Sequence, residues 1–232
     1  MSQINVVSIE RDNSQRSLPE WKDALSTCVG RVTPSVQHQE VTRCVSTSLE
    51  NFSGRIEVGE LGDIVLAKLA ATPNHFSRSL RTMTPTLPAP VLLFLQLSGS
   101  SRLDQDNRSC TLRPGDWCLI DTLHPFEGCT LGARNEYLIL GLERPSDPEV
   151  CGVLEQGVAR RWDGKTGLSR VLQSTLTEAF NQLNCLRYAS GKSLQRAVTG
   201  MAWDALREQL DAPQHLAFQP PVQGPVRGPS PR

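Results

Sequence analysis

The sequence is poor in the arrangements that enzymes and metal sites are built from. Its four histidines, His38, His75, His124 and His215, stand alone, with no His-x-His pair and no HExxH. It therefore offers no two imidazoles at a metal-ligating spacing. There is no GxSxG nucleophile elbow and no glycine-rich loop opening a helix at phosphate-binding spacing. Catalysis is thus the weaker class, and neither enzyme activity nor a cofactor is expected. Seven cysteines, at 28, 44, 110, 118, 129, 151 and 185, form an odd set without a CxxC, which reads as free thiols in a reducing compartment and not as a disulfide framework. No apolar run is long enough to cross a bilayer, and the opening MSQINVVSIERDNSQRS is charged by its tenth residue, so no membrane contact and no signal peptide are expected and the chain should be cytoplasmic. An excess of positive charge is missing too: 24 basic residues meet 24 acidic ones. Without a basic stripe to neutralise phosphates, direct DNA binding by this chain is not expected.

What is present is β-pattern followed by α-pattern. The stretch Leu92–Glu127 reads as strand, hairpin, short strand, turn, strand. Asp106-Asn107 tolerates the positive φ of a two-residue hairpin loop, and Arg113-Pro114-Gly115-Asp116 puts Pro and Gly where a type II turn needs them. Asp116 is read as capping that turn. Residues 39–82 also alternate like strands, with Gly59 and Gly62-Asp63 as punctuation and Asn74-His75 as a loop. Successive short antiparallel strands of this kind close into a barrel or sandwich.

Residues 1–16 are polar and expected to be disordered; Ser17 and Glu20 form a capping box that starts a short helix over 18–27, with Trp21 on its apolar stripe. After the loop 144–148 the chain turns helical. One stripe runs from Leu168 to Leu186, Ala189-Ser190-Gly191 breaks it, and a second runs from Leu194 to Leu210, making a helical hairpin over 164–211. The stripes can be buried on the chain's own strands or on a second copy. Six prolines in the last twenty residues mark 212–232 as a disordered tail.

The run LQLSG, the Gln105 and Arg108 that follow, then LRPGDW, ID and HPF, together with GRIEVGELGDIVLAKL and NHFSRS upstream, resemble the sensor domain of the arabinose-regulator (AraC/XylS) family of bacterial transcription factors, over roughly residues 17–185. The resemblance implies a mostly β, cupin-like jelly-roll barrel over 17–163 that binds a small effector, aromatic or carboxylate, and a helical dimerisation hairpin. The dimer would be with itself or with a full-length regulator. The family's helix-turn-helix reader is longer than the tail, so this chain is expected to lack one; a stand-alone cupin-like binding protein or enzyme is the alternative. On strand Leu92–Leu97, Phe94 and Gln96 share a mixed face with an aromatic wall and a polar handle, opposite an all-Leu core face. Trp117 belongs to a second such face, with core packing as its other role. Arg78 is either a bidentate partner for an effector carboxylate or part of a solvated strand face. Arg78, Phe94, Gln96 and Trp117 are the candidate ligand-binding residues.

Overall fold

The computed structural model of the chain describes residues 4–9, 43–46, 53–78 and 89–211. The helix expected over 18–27 with Trp21, Arg81, and the tail 212–232 lie outside the described residues. So does most of the expected disordered N-terminus, except that Asn5–Ile9 within it is a strand. Among the described residues nine strands are formed: β1 (Asn5–Ile9), β2 (Arg43–Ser46), β3 (Gly54–Leu61), β4 (Ile64–Ala71), β5 (Asn74–Arg78), β6 (Val91–Gln105), β7 (Arg108–Leu112), β8 (Trp117–Asp121) and β9 (Phe126–Leu142). Three α-helices follow: α1 (Pro148–Gly157), α2 (Gly167–Gln182) and α3 (Tyr188–Asp211), with a 3₁₀ turn at Leu183–Cys185 between the last two.

The two long strands are the spine. Along one edge of β9 lies β6; along its other edge lie β4, opposite 135–140, and β5, opposite 126–129. The free edge of β6 carries β8 at Val91–Leu95 and β7 at Ser101–Gln105. The spine therefore belongs to two half-sheets, β1-β3-β4-β9-β6-β8 and β2-β5-β9-β6-β7, and it bends between them where the register shifts at Gln96, Ser98 and Ser100. Gly99 has φ 70° at that point, and Asn135, fully buried, accepts the Ser100 N–H at 2.8 Å. This is the geometry of a bulge that needs a left-handed residue. The half-sheets face each other as in a jelly roll, and among the described residues the sheet is not closed into a full ring.

The turns follow local chemistry. Asp106 and Asn107 have φ 51° and 60°, the two positive values of a type I′ turn. Gly115 has φ 91°, Asp116 N donates to Arg113 O at 2.8 Å, and the Asp116 carboxylate accepts from Arg113 N at 3.0 Å, so it does cap its turn. Gly62, φ 68°, turns β3 into β4. Gly59 does not punctuate: it lies inside β3, where a Cβ would stand 2.8 Å from Leu183, so its bareness admits the helical layer. Asn74-His75 is likewise strand and not loop, because Asn74 pairs across to Thr130 instead of turning. Strand β9, with its polar middle GARNE, has no clear alternation and was not foreseen.

The helices cover the outer face of the first half-sheet. Asp147 caps α1 by accepting from Glu149 N, with Pro148 in the first turn. Leu172, Leu176 and Phe180 of α2, and Val198, Ala202 and Leu206 of α3, are buried. Thus Val91–Gln96 is buried on both sides, since one side meets the helices and the other the interior between half-sheets. Full burial of each such leucine is worth about 1.5–3 kcal/mol. The helical break falls elsewhere than expected: Ala189-Ser190-Gly191 lies in the first turn of α3, and Gly191 meets the Gly62 turn, 3.0 Å from its N to where a Cβ would be.

Candidate functional site

Strand parity decides which side chains face the interior. Phe94 stands opposite Ile139, and Gln96 opposite Tyr137, on β9. On the second half-sheet Asn74, Phe76 and Arg78 occupy alternate positions of β5, so they share one face over about 13 Å. The rings meet across the gap: Phe76 and Phe94 are stacked with centroids 6.3 Å apart and planes 9° apart, and Phe94 and Tyr137 lie 6.0 Å apart at 32°. A Cβ on Gly128 would collide with the Phe76 ring, so a glycine there is what lets the ring lie flat on the sheet.

Polar atoms are set into this aromatic wall, and several lack partners among the described residues. Asn74 Nδ2 donates to Thr72 O (2.9 Å) and Thr130 Oγ1 (3.2 Å), yet its Oδ1 is buried with no hydrogen bond. Gln96, 0% exposed, donates through Nε2 to Ser98 O (2.6 Å) and leaves Oε1 unpaired. Ser101 Oγ and Arg78 Nε are also buried without a partner. Each such atom costs about 1–3 kcal/mol, so four in one interior call for an explanation. A bound molecule supplies one: Gln96 and Asn74 offer acceptors, Ser101 a hydroxyl, and Arg78 a cation. Burial pushes the Arg78 pKa down from its ordinary value, opposed by the Asp121 carboxylate, but a guanidinium stays charged. Asp121 itself is taken by Arg144 and by Leu123 N.

Arg78 also lines a cleft of about 810 Å³ at the end of the β6–β7 hairpin, with Gln105, Arg108, Phe126 and Glu127. That size suits a small molecule. Gln105 holds the floor rigid: it accepts from Asp121 N (2.8 Å) and donates to Asp121 O (2.7 Å). Arg108 reaches from the cleft to the C-terminal end of α1, donating to Glu155 O (2.7 Å) and Val158 O (3.2 Å). It thereby satisfies carbonyls that a helix end leaves bare.

Of the four candidates, the structure brings Phe94 and Gln96 onto the interior face and sets Arg78 on the facing half-sheet. Trp117 lies elsewhere. It pairs with Leu95, hence on the opposite side of the sheet from Phe94, where its indole packs on Trp162 (6.2 Å) and donates to Ser169 Oγ (3.3 Å). Asn74, Tyr137 and Ser101 join the site without having been singled out. The signal for Tyr137 was the apolar run YLILGL, typical of a buried strand. Among the described residues no group of three or more His, Cys, Asp or Glu could hold a metal ion. His75 stands 3.6 Å from Glu127, and His124 2.8 Å from Asp106. Among the described residues no helix is long and apolar enough to cross a membrane.

Comparison with known proteins agrees with this architecture. The crystal structure of the AraC-like transcriptional activator CuxR superposes with a TM-score of 0.70 over 96% of this chain and 73% of that one, at 14% identity, which establishes likeness of fold. An uncharacterised protein in the nit 5′ region of Bacillus sp. (strain OxB-1) is 26% identical over 121 residues, 52% of this chain but only 43% of that protein's length. The family model described as AraC-binding-like domain matches residues 37–223. That match spans well over half of the chain, and the protein belongs to the AraC-binding-like domain family.

Proposed function

We propose that the protein is the effector-sensing part of an AraC-type transcription regulator, a binding module and not an enzyme, and that its effector sits between the two half-sheets. The observation that carries this is the interior itself: an aromatic wall of Phe76, Phe94 and Tyr137 beside four buried polar atoms with no partner among the described residues. The complementary molecule is flat and aromatic. It has a carboxylate for Arg78 and a hydrogen-bond donor for Gln96 or Asn74.

Binding is read out through the helices. Arg108 touches both the cleft and α1, and α1 packs on α3 where Gly157 leaves room for Leu206. An effector carboxylate competing for Arg108 would release the end of α1 and shift the helical layer. We propose that this layer pairs with a second copy or with a full-length regulator, which brings a DNA reader to the complex; Val171, 52% exposed on α2, is an apolar position open to such a partner. Multi-angle light scattering at tens of micromolar should show a dimer, and a monomer at that concentration would refute self-pairing.

Calorimetry with a panel of aromatic acids and their amides tests the site. An acid should bind, and Arg78→Met should weaken the acid by about 10- to 150-fold, the worth of a charge-assisted hydrogen bond of about 1.5–3 kcal/mol, while leaving the amide nearly unaffected. Equal loss for acid and amide would show that Arg78 supports the fold instead of the ligand.

A further inference from the structure

Two of the free cysteines are neighbours inside the protein. Cys110 on β7 stands opposite Leu103, and Cys118 on β8 stands opposite Phe94. Those two positions on β6 are nine apart and would face opposite ways on a regular strand. The bulges between Gln96 and Ser100 reset the alternation, so both buried thiols enter the interior, within reach of each other.

As packing alone, two small apolar residues would serve equally well. The surroundings of the pair are unequal, however. Cys118 is 0% exposed in the core, whereas Cys110 is 7% exposed on a strand whose outer edge is unpaired among the described residues, bordering a cleft of about 540 Å³ that Arg160 and Arg161 also line. The neighbouring Cys118 thiol holds the Cys110 thiol below its ordinary pKa against the cost of burial and the Asp104 charge, with the Leu103 backbone and the Arg161 charge adding smaller pulls in the same direction as Cys118. Burial pushes the Cys118 thiol well up. A buried thiol at the edge of a solvent cleft, beside a second thiol deeper in the core, is the arrangement of a reacting and a resolving thiol.

We propose that Cys110 and Cys118 are a peroxide-responsive pair that closes to a disulfide. The Cys110 thiolate attacks one peroxide oxygen and the O–O bond breaks; the departing hydroxide takes a proton and leaves as water, and Cys110 is oxidised to the sulfenic acid. The Cys118 sulfur then attacks the Cys110 sulfur and displaces hydroxide, which takes the Cys118 proton as a second water. Two thiols lose two electrons, and one peroxide is reduced to two waters.

The test is on the intact wild-type chain, reduced and then exposed to hydrogen peroxide, denatured in N-ethylmaleimide, and cut with trypsin and Asp-N. Trypsin cuts after Arg108 and Asp-N before Asp116 and Asp121, which places the two cysteines on separate fragments, Ser109–Gly115 and Asp116–Ile120. The expected result is these fragments joined through sulfur and released by dithiothreitol. In Cys118→Ser the expected result is a dimedone adduct on Cys110. Recovery of both wild-type fragments separate and alkylated, at a peroxide dose that oxidises the exposed Cys185, would overturn the proposal.

Discussion

Replacing Gln96 by methionine separates a binding role from a packing role, because the two predict opposite signs. The side chain is fully buried, its Nε2 is engaged at 2.6 Å with Ser98 O, and its Oε1 is bare. Methionine has nearly the same length and volume. It removes an unpaired acceptor that costs about 1–3 kcal/mol and forfeits a hydrogen bond worth about 0.5–1.5 kcal/mol. The unliganded Gln96→Met protein should therefore melt between about 2 °C below wild type and several degrees above it, at about 2–4 °C per kcal/mol for a chain of this size. Effector binding should move the other way. The ligand's donor loses its acceptor and is left buried without one, which at about 1.4 kcal/mol per decade means tenfold or more weaker affinity. Scanning calorimetry of the free proteins and titration calorimetry with the tightest acid of the panel give the two numbers. A melting point several degrees lower with unchanged affinity would refute the reasoning, since it would make Gln96 a structural strut and leave the bare oxygen unexplained.

Two further predictions concern the outer layer. Trp117→Phe should cost about 1–3 kcal/mol of stability by loosening the contact with Trp162 and losing the bond to Ser169, yet leave effector affinity within twofold in titration calorimetry, because the ring lies on the other side of the sheet from Phe94. Asp63, in the turn that grips α3, is held below the usual carboxylate pKa first by Lys192 and then by the Tyr188 hydroxyl. Since folding lowers its pKa, its contribution is whole above the unfolded value near pH ~4 and is lost as the pH falls through the lower folded value. The gap in urea midpoint between wild type and Asp63→Asn should thus shrink as the pH is lowered from 7 to 3, and a constant gap would show that the carboxylate charge is not what matters.

The features legible in the sequence are those that depend on a few adjacent residues. Asp106-Asn107 and Pro114-Gly115 announced their turns because the φ values each turn demands are properties of those residues alone. The helical stripes of 168–186 and 194–210 were visible because a helix repeats its own period, although Gly191 misled: glycine usually stops a helix, and here it makes room for a turn from another part of the chain. The mixed face of Phe94 and Gln96 could be read because strand alternation holds from Leu92 to Gln96.

Beyond Gln96 that alternation is broken by the bulge around Gly99, and from there sequence parity no longer says which side chains look inward. The sequence by itself determined the turns, the helical periods, the absence of paired histidines and the family motifs. Only the tertiary structure decided that Trp117 faces the helices, that Tyr137 from β9 and Phe76 from β5 close on Phe94, that four polar atoms are left bare in one interior, and that Cys110 meets Cys118. The reason is physical: backbone dihedrals and periodicity are local constraints, whereas the meeting of two half-sheets depends on where a long strand bends, and that is set by packing between residues far apart in the chain.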